Sequence, residues 1–313
     1  MTIDPLLTLA SFGIGIVVGL TGMGGGALMT PVLVLFFNVP PLTAVSSDLV
    51  ASAVMKPVGS FVHLQRGTVH LGLVRWLCIG SVPGAFSGVL IARALGRGED
   101  VQQLVRTALG VALLLAAFGL IARAYVRLLE HARRRSGRAA PLSQERPDIA
   151  VKPLPTVILG LLGGIVVGLT SVGSGSLIII ALMMLYPRLT ASQLVGTDLV
   201  QAVPLVASAA LGHILFGDFK MELTTGLLLG CIPGVWVGAH LSARLPGGLV
   251  RRALAFVLLA SALKLLNVPN QETGIALLIT LLVAPLLWML VRRHYGYPAL
   301  ARRHRPPQEA TKG

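Results

Sequence analysis

Two glycine-rich segments contain the residue types best suited to bind a small anion. One reads Thr-Gly-Met-Gly-Gly-Gly over residues 21–26, and the other reads Thr-Ser-Val-Gly-Ser-Gly-Ser over residues 170–176. Glycine accepts positive φ and leaves backbone amides accessible. A helix that restarts after such a break points its partly positive N-terminal amides at the break, which favours a bound anion. The candidate anion-binding residues are Thr21, Gly22, Gly24, Gly25, Gly26, Thr170, Ser171, Gly173, Ser174, Gly175 and Ser176.

The second group of candidates comprises five ionisable residues within or at the ends of apolar segments, where a charge is costly and indicates a binding site or a proton path. Lys56 lies in the middle of its segment, so we expect it to pair with Asp48 or with a substrate anion. Asp48 and Asp198 are candidates for proton coupling, and the alternative for each is a helix N-cap at the membrane edge. His63 and His213 are further candidates for proton coupling, although their places near segment ends favour an interfacial histidine over a relay.

Catalytic and metal-binding patterns are nearly absent from the sequence. It contains no GxxxxGK, HExxH or CxxC motif, and its two cysteines, Cys78 and Cys231, both lie in apolar runs. We therefore expect no metal, no cofactor and no enzymatic activity. One catalytic alternative is an intramembrane serine hydrolase with Ser174 as nucleophile and His213 as base. That alternative is weakened because Gly25 takes the place of Ser174 in the first glycine-rich segment.

The elements that carry these residues must lie in a membrane. Of the 313 residues, 54% are hydrophobic and only 12% are charged, and the mean hydropathy is +0.81. A soluble domain has about 25% charged residues, so the composition excludes soluble and disordered classes and predicts an all-α polytopic membrane protein. Nine apolar segments approach the length of a membrane-spanning helix. The first and fifth, residues 6–37 and 154–186, are too long for one straight span and contain the glycine breaks.

The chain is an internal duplication. Residues 15–21 recur letter for letter as residues 164–170, and Asp-Leu-Val at 48–50 recurs at 198–200. A Pro-Gly-x3-Gly element at 83–88 recurs at 233–238, and we interpret it as a helix-packing face. Packing through small residues is also the alternative for the two glycine breaks, but their repetition in overlong segments favours a site. The predicted architecture is two inverted helical repeats with glycine-broken first helices, plus one extra C-terminal helix.

Charge distribution divides the chain into five parts. The formal net charge is +14, and Lys and Arg are concentrated around the linker and the C-terminal end. Cytoplasmic segments collect such residues, so both are placed in the cytoplasm of a bacterial inner-membrane protein. They could contact anionic lipids, whereas nucleic acid is not expected because the basic runs have few aromatics. The divisions are a first repeat (1–129), a basic linker (130–153), a second repeat (154–268), an extra helix (269–294) and a basic tail (295–313).

Together these motifs resemble the sulfite exporter TauE/SafE family of membrane transporters. The resemblance rests on the doubled glycine-rich motif at 15–31 and 164–180, on Ser-Ser-Asp-Leu at 46–49 with Gly-Thr-Asp-Leu at 196–199, and on the paired Pro-Gly-x3-Gly elements. It covers nearly the whole chain except the linker and the tail. It implies seven or eight spans and transport of sulfite, organosulfonates or other sulfur-containing anions. The Ser-Gly-Ser of the second break departs from the family pattern.

The expected function is therefore a secondary transporter that exports a small sulfur-containing anion held between the two breaks. Coupling to protons or to the membrane potential is expected, with Lys56 offering compensating charge. A passive anion channel is the main alternative, and the Ser174/His213 hydrolase is a weaker one.

The placement of the basic segments leads to a topology prediction. With linker and tail on one side, the five apolar segments after the linker must make an even number of crossings, so residues 154–186 must enter and leave on the same side. Single cysteines at Ser143 and at Thr311 should therefore react with an impermeant thiol reagent only when it reaches the cytoplasmic side. Labelling of the two positions from opposite sides would contradict the parity argument.

Overall fold

The fold consists of helices throughout the described part of the chain. The computed structural model describes residues 4–21, 25–65, 67–96, 98–135, 150–241 and 247–294. Strands are absent from these ranges, which confirms the predicted all-α class. The helices are α1 (Pro5–Thr21), α2 (Gly26–Phe36), α3 (Pro41–Gln65), α4 (Leu71–Ala94), α5 (Glu99–Arg135), α6 (Pro153–Thr170), α7 (Leu177–Leu185), α8 (Ala191–Phe216), α9 (Met221–Leu241), α10 (Gly247–Leu265) and α11 (Asn270–His294).

Both overlong apolar segments are split at their glycine breaks, as predicted. The first becomes α1 and α2, and the second becomes α6 and α7. The helices after the breaks have only 11 and 9 residues, or about half the length needed to cross a hydrocarbon core of about 30 Å. Within the described ranges, six helices are long and apolar enough to span a membrane: α4, the first two thirds of α5, α6, α8, α9 and α11.

Glycines on α4 allow its backbone to touch the backbone of α6. A Cβ atom on Gly80 would lie 2.0 Å from the carbonyl oxygen of Val157, and one on Gly84 would lie 2.4 Å from that of Leu161. Both distances are far below contact distance, so only glycine fits. The prediction that the Pro-Gly-x3-Gly element is a packing face is confirmed for this helix.

The second repeat makes the same kind of contact with the first. A Cβ atom on Gly230 of α9 would lie 2.2 Å from the carbonyl oxygen of Thr8, and one on Gly238 would lie 2.2 Å from that of Ile16. Helix α9 is the counterpart of α4, and α1 is the counterpart of α6. Each repeat therefore holds the first helix of the other repeat, and the two halves interlock.

Helix directions follow from the order of these contacts. Along α4 and α6 the contacting residue numbers rise together, so the two helices are parallel. Helix α8 is also parallel to α4, since Ser81 contacts Gln201 in the middle of both helices and Arg93 contacts Phe216 near the C-terminal ends of both. Helices α6 and α8 therefore run in the same direction, and the chain reverses through α7 between them.

The counterpart helices α3 and α8 pack in opposite directions. Ser46, near the start of α3, is hydrogen-bonded to His213 near the end of α8. Ser60, near the end of α3, donates to the carbonyl oxygen of Leu199 near the start of α8. Helix α8 thus packs along most of the length of α3.

The outer surface is apolar, as expected for a protein surrounded by lipid. Helix α11 packs against α10, and its long apolar side chains stay exposed on all sides; Leu278, Leu282 and Leu286 are each more than half exposed. An exposed apolar surface of this size is incompatible with water as the surrounding solvent. The finding agrees with the membrane location predicted from composition.

The glycine contacts give a stability prediction. Replacing Gly80 by Ala forces a methyl group against the backbone of α6, which cannot move as a side-chain end can. We expect a loss of about 1–3 kcal/mol of stability and a lower melting temperature of the purified protein. Gly13→Ala is the matched control, because a Cβ atom there meets nothing within 4 Å. An equal melting temperature for both variants would contradict the backbone contact.

Candidate functional site

The two glycine breaks lie against each other in the interior. Gly26 begins α2, and Ser171 caps the C-terminus of α6. A Cβ atom on Gly26 would lie 2.3 Å from the carbonyl oxygen of Ser171, so the two breaks are in backbone contact. The structure thus brings the predicted segments of both repeats together. The side chain of Thr21 and the residues Gly22 and Gly24 lie outside the part that the structure describes.

The second break follows an irregular path that glycine makes possible. Gly173 has φ of 140° and Gly175 has φ of 98°, as expected from the sequence. Ser171 also has positive φ, at 59°, which the sequence did not reveal. The hydroxyl of Thr170 accepts a hydrogen bond from the amide of Val172 at 3.2 Å, so it stabilises the break itself.

The leading amides of α7 are satisfied inside the break. The amides of Ser176, Leu177 and Ile178 all donate to the carbonyl oxygen of Gly173, at 3.0–3.3 Å. In the first break, the amide of Leu28 donates to the Gly25 carbonyl oxygen at 3.0 Å. The turn of the second break therefore uses the leading amides of α7, and the expectation that helix-start amides face an anion stays a prediction for the first break. Side-chain donors remain for recognition.

Asp48 connects three of the elements at this point. It is fully buried, and its Oδ2 accepts hydrogen bonds from Thr30 Oγ1 at 2.8 Å and from Ser171 Oγ at 2.5 Å. Its Oδ1 has no hydrogen-bond partner among the described residues. Thr30 was missed from the sequence, although it is the sole hydroxyl in the apolar α2. The carboxyl group therefore links α2 and α3 of the first repeat to the break of the second repeat.

Lys56 reaches the same break from α3. Its side chain is 7% exposed, and its Nζ donates to Ser174 Oγ at 2.5 Å. Asp198 and Asp48 both lie close enough to interact electrostatically with this ammonium group. Val206 takes the equivalent place in α8 and is fully buried, so the two repeats share one cation here.

Asp198 occupies the corresponding position in α8, in a separate hydrogen-bonded chain. Gln201 Nε2 donates to Asp198 Oδ1 at 3.3 Å, and Ser81 Oγ donates to Gln201 Oε1 at 3.1 Å. The N-cap alternative is wrong for both aspartates. Helix α3 begins two turns before Asp48, and α8 begins two turns before Asp198 with Thr190 as its N-cap.

The two histidines differ from each other. His213 is fully buried, with Nδ1 at 2.8 Å from Ser46 Oγ and Nε2 at 2.8 Å from the carbonyl oxygen of Gly168. Because α3 and α8 are antiparallel, the end of α8 is covered by the start of α3, and the expected interfacial position is wrong for this residue. His63 is half-buried at its helix end, with Nδ1 at 3.0 Å from Thr68 Oγ1.

The hydrolase geometry is not formed. Ser174 is held by Lys56, whereas His213 is engaged with Ser46 and Gly168. Neither Ser174 nor His213 makes a hydrogen bond to the other within the described part of the chain. A histidine general base must reach its serine, and the described residues do not form the Ser174/His213 pair in this structure.

A cavity of about 320 Å³ lies where α3 begins and where α4 and α8 end. His213 forms part of its wall, and Arg93 lines it with its guanidinium 4.5 Å above the ring of Phe216. The partners of His213 are Ser46 and Gly168, each within one helical turn of Asp48 or Ser171. The cavity thus lies toward one end of the helices, and His213 stands between the cavity and the place where the two breaks meet.

Comparison with known proteins gives consistent matches. The sequence profile of the family described as sulfite exporter TauE/SafE matches residues 7–265. The chain is 37% identical over 254 residues to the probable membrane transporter protein YjnA of Bacillus subtilis (strain 168), covering 81% of this chain and 96% of the relative. It is 26% identical over 255 residues to YdhB of the same organism, named in the same way, covering 80% and 94%. No solved structure matches the chain.

The contact between the breaks gives a second prediction. Gly26→Ala places a methyl group on the Ser171 carbonyl oxygen, so α2 must move away from the second break and the Thr30–Asp48 bond is lost with it. We expect a lower melting temperature of the empty protein, by an amount equivalent to about 1–3 kcal/mol. Gly25→Ala is the neighbouring control, because its Cβ would meet only the flexible end of Met55 at 3.4 Å. Similar melting curves for the two variants would contradict the contact.

Proposed function

The chain belongs to the sulfite exporter TauE/SafE family and is a membrane transporter, and we propose that it exports a small sulfur-containing anion such as sulfite or an organosulfonate. The anion is held where the two glycine breaks meet, and Lys56 provides the compensating positive charge. The transporter forms no covalent intermediate and uses no cofactor.

The contact between Lys56 and the second break is the observation that carries this proposal. A buried ammonium group loses its hydration, and this costs several kcal/mol unless an anion or hydrogen bonds compensate. Lys56 Nζ points at Ser174, so an oxyanion beside Ser174 would gain one charge-assisted hydrogen bond and one hydroxyl donor. Ser171, on the same break, is the second hydroxyl within reach. An ammonium group with hydroxyls suits a sulfonate or sulfite group and disfavours a cation.

Alternating access is the proposed mode of transport. The antiparallel packing of the counterpart helices α3 and α8 supports an inverted arrangement of the repeats, in which a central site faces either side as the halves rock. The reversal of the chain between α6 and α8 supports an even number of membrane crossings after the linker. An even number places linker and tail on the same side of the membrane, which we take to be the cytoplasm. There the basic residues would also contact anionic lipids of the inner membrane. The cavity beside Arg93 supplies an approach for an anion on the opposite side.

Coupling to protons or to the membrane potential would drive export. Asp48, Asp198, His63 and His213 are the ionisable groups of the interior and the helix ends that could move a proton. A passive anion channel is the second candidate. Saturable flux in proteoliposomes that responds to an imposed pH gradient supports the carrier, whereas flux that rises linearly with anion concentration supports the channel.

A thermal-shift screen with a charge variant tests the proposal. Sulfite, sulfate, thiosulfate, sulfoacetate and taurine are compared with a cation control, since a ligand at hundredfold excess over its Kd stabilises the bound state by about 2.7 kcal/mol. At least one anion should raise the melting temperature of the wild type, and Lys56→Met should abolish that rise. The same substitution at Lys264, which bonds Asn270 away from the breaks, is the control and should keep the rise.

Two outcomes would oppose the proposal. One is the absence of stabilisation by every anion of the screen. The other is an unchanged anion response in a folded Lys56→Met protein, which would return this lysine to a structural role. If Lys56→Met does not fold, Ser174→Ala supplies the second variant, and it should weaken anion stabilisation without removing a charge.

A further inference from the structure

The hydroxyl of Ser171 has one hydrogen, and the structure commits it to Asp48. Ser171 Oγ lies 2.5 Å from Asp48 Oδ2, so an ionised carboxylate takes this hydrogen as acceptor. While that bond lasts, Ser171 cannot donate to an anion. Ser174 is in the opposite situation, because Lys56 donates to its oxygen and leaves its hydrogen available.

An ionised Asp48 also opposes a bound anion through its negative charge. Among the buried residues that the structure describes, two carboxyl groups, Asp48 and Asp198, interact electrostatically with one ammonium group, that of Lys56. If all three are ionised, the region has a formal charge of −1, and a bound anion makes it more negative. Like charges in a low-dielectric interior repel strongly, so anion binding requires that one negative charge be neutralised. Asp48 is the carboxyl group to be neutralised, because its buried Oδ1 has no hydrogen-bond partner among the described residues and its Oδ2, which contacts Ser171, can take the proton.

We propose that Asp48 takes up one proton each time an anion binds, so that anion and proton are bound together and cross in the same direction. A divalent anion with one proton still has a net charge of −1, so the inside-negative membrane potential drives its export, whereas an inward proton gradient opposes it. The proton from water forms an O–H bond on the Asp48 carboxylate. The neutral acid then donates to Ser171 Oγ, and the Ser171 hydrogen turns from Asp48 to the anion. Release of the anion reverses both hydrogen bonds and returns the proton to water. This inference rests on the proposed anion site and adds its coupling ion.

Other titratable groups around Asp48 are less suited to this role. On its own helix, Lys56 already carries a proton, and it faces Ser174. On α8, Asp198 accepts from Gln201, and His213 is engaged with Ser46 and Gly168. On α9, the thiol of Cys231 is near enough to interact with Asp48 but donates to the carbonyl oxygen of Ser11. Helix α2 and the second break contribute only hydroxyls.

Proton-linked calorimetry of the full purified chain tests the coupling. Thiosulfate is the titrant, because its charge stays constant between about pH 6 and about pH 9, and each titration is repeated in buffers of different ionisation enthalpy. We expect up to one proton to be taken up per anion. Anion affinity should fall by up to tenfold per pH unit once free Asp48 is ionised, since binding then requires a proton.

Three variants assign the proton to Asp48. Asp48→Asn mimics the neutral acid, because its amide can donate to Ser171, so it should bind thiosulfate without proton uptake and with the same affinity across the pH range. Asp198→Asn removes an equal charge without touching Ser171, and Lys56→Arg keeps a positive charge at every pH. Both should retain proton uptake if they bind the anion.

The results separate this inference from the proposed function. Thiosulfate binding by the wild type without proton uptake at any pH overturns the coupling and leaves the anion site standing. Persistent uptake in Asp48→Asn also overturns it, and so does loss of uptake in Asp198→Asn or Lys56→Arg. If Asp48→Asn does not fold, Ser171→Ala replaces it, and this variant should lose affinity mainly at low pH. Absence of binding by every anion of the thermal-shift screen contradicts the anion site itself and the coupling with it.

Discussion

Backbone contact between glycine-lined helices is the constraint on which the rest of this structure depends. Helix α4 of the first repeat holds α6 of the second, and α9 of the second holds α1 of the first, with carbonyl oxygens where side chains would otherwise stand. Helices in lipid associate through such close packing because lipid supplies no hydrophobic driving force between them. As a result, the first helix of each repeat lies in the other repeat. The break at the end of α6 therefore lies against α3, and both halves contribute residues to the proposed anion site.

The backbone amides and carbonyl oxygens at a helix break in a membrane must themselves be hydrogen-bonded. Unpaired amides and carbonyls are tolerated at this depth only where protein or a water-filled cavity receives them. The second break meets this demand internally, since the Gly173 carbonyl oxygen accepts three amides and Thr170 accepts a fourth. The positive φ of Ser171 and both glycines allows this compact path. In the proposed site, the second break therefore contributes hydroxyls, and α3 contributes the charged groups.

The sequence predicted local features well and long-range contacts poorly, for a physical reason. Glycine at 173 and 175 indicated positive φ, and the Pro-Gly-x3-Gly spacing indicated a packing face, because both depend on residues within a turn or two. The partner of that face could not be read from it, since any small-residue face fits several others. The contact of Ser171 with Asp48, the role of Thr30 and the burial of His213 all depend on which helices meet across the repeats. The N-cap alternative for the aspartates failed because α3 and α8 each begin about two turns before the aspartate.

The two repeats have diverged at the proposed anion site, whereas the glycines through which they pack against each other are repeated. In α3, Ser46, Ser52, Lys56 and Ser60 correspond to glycine, alanine, valine and alanine in α8. In the breaks, Ser171 and Ser174 of the second repeat correspond to glycines of the first. The polar residues of this α3 set belong to the first repeat, whereas the two serines of the break belong to the second repeat. Interlocking places these two polar elements in contact, since α3 touches the second break through Asp48 and Lys56. In the proposed site one repeat thus supplies the lysine and the other supplies the serines, while the packing glycines are the same in both repeats.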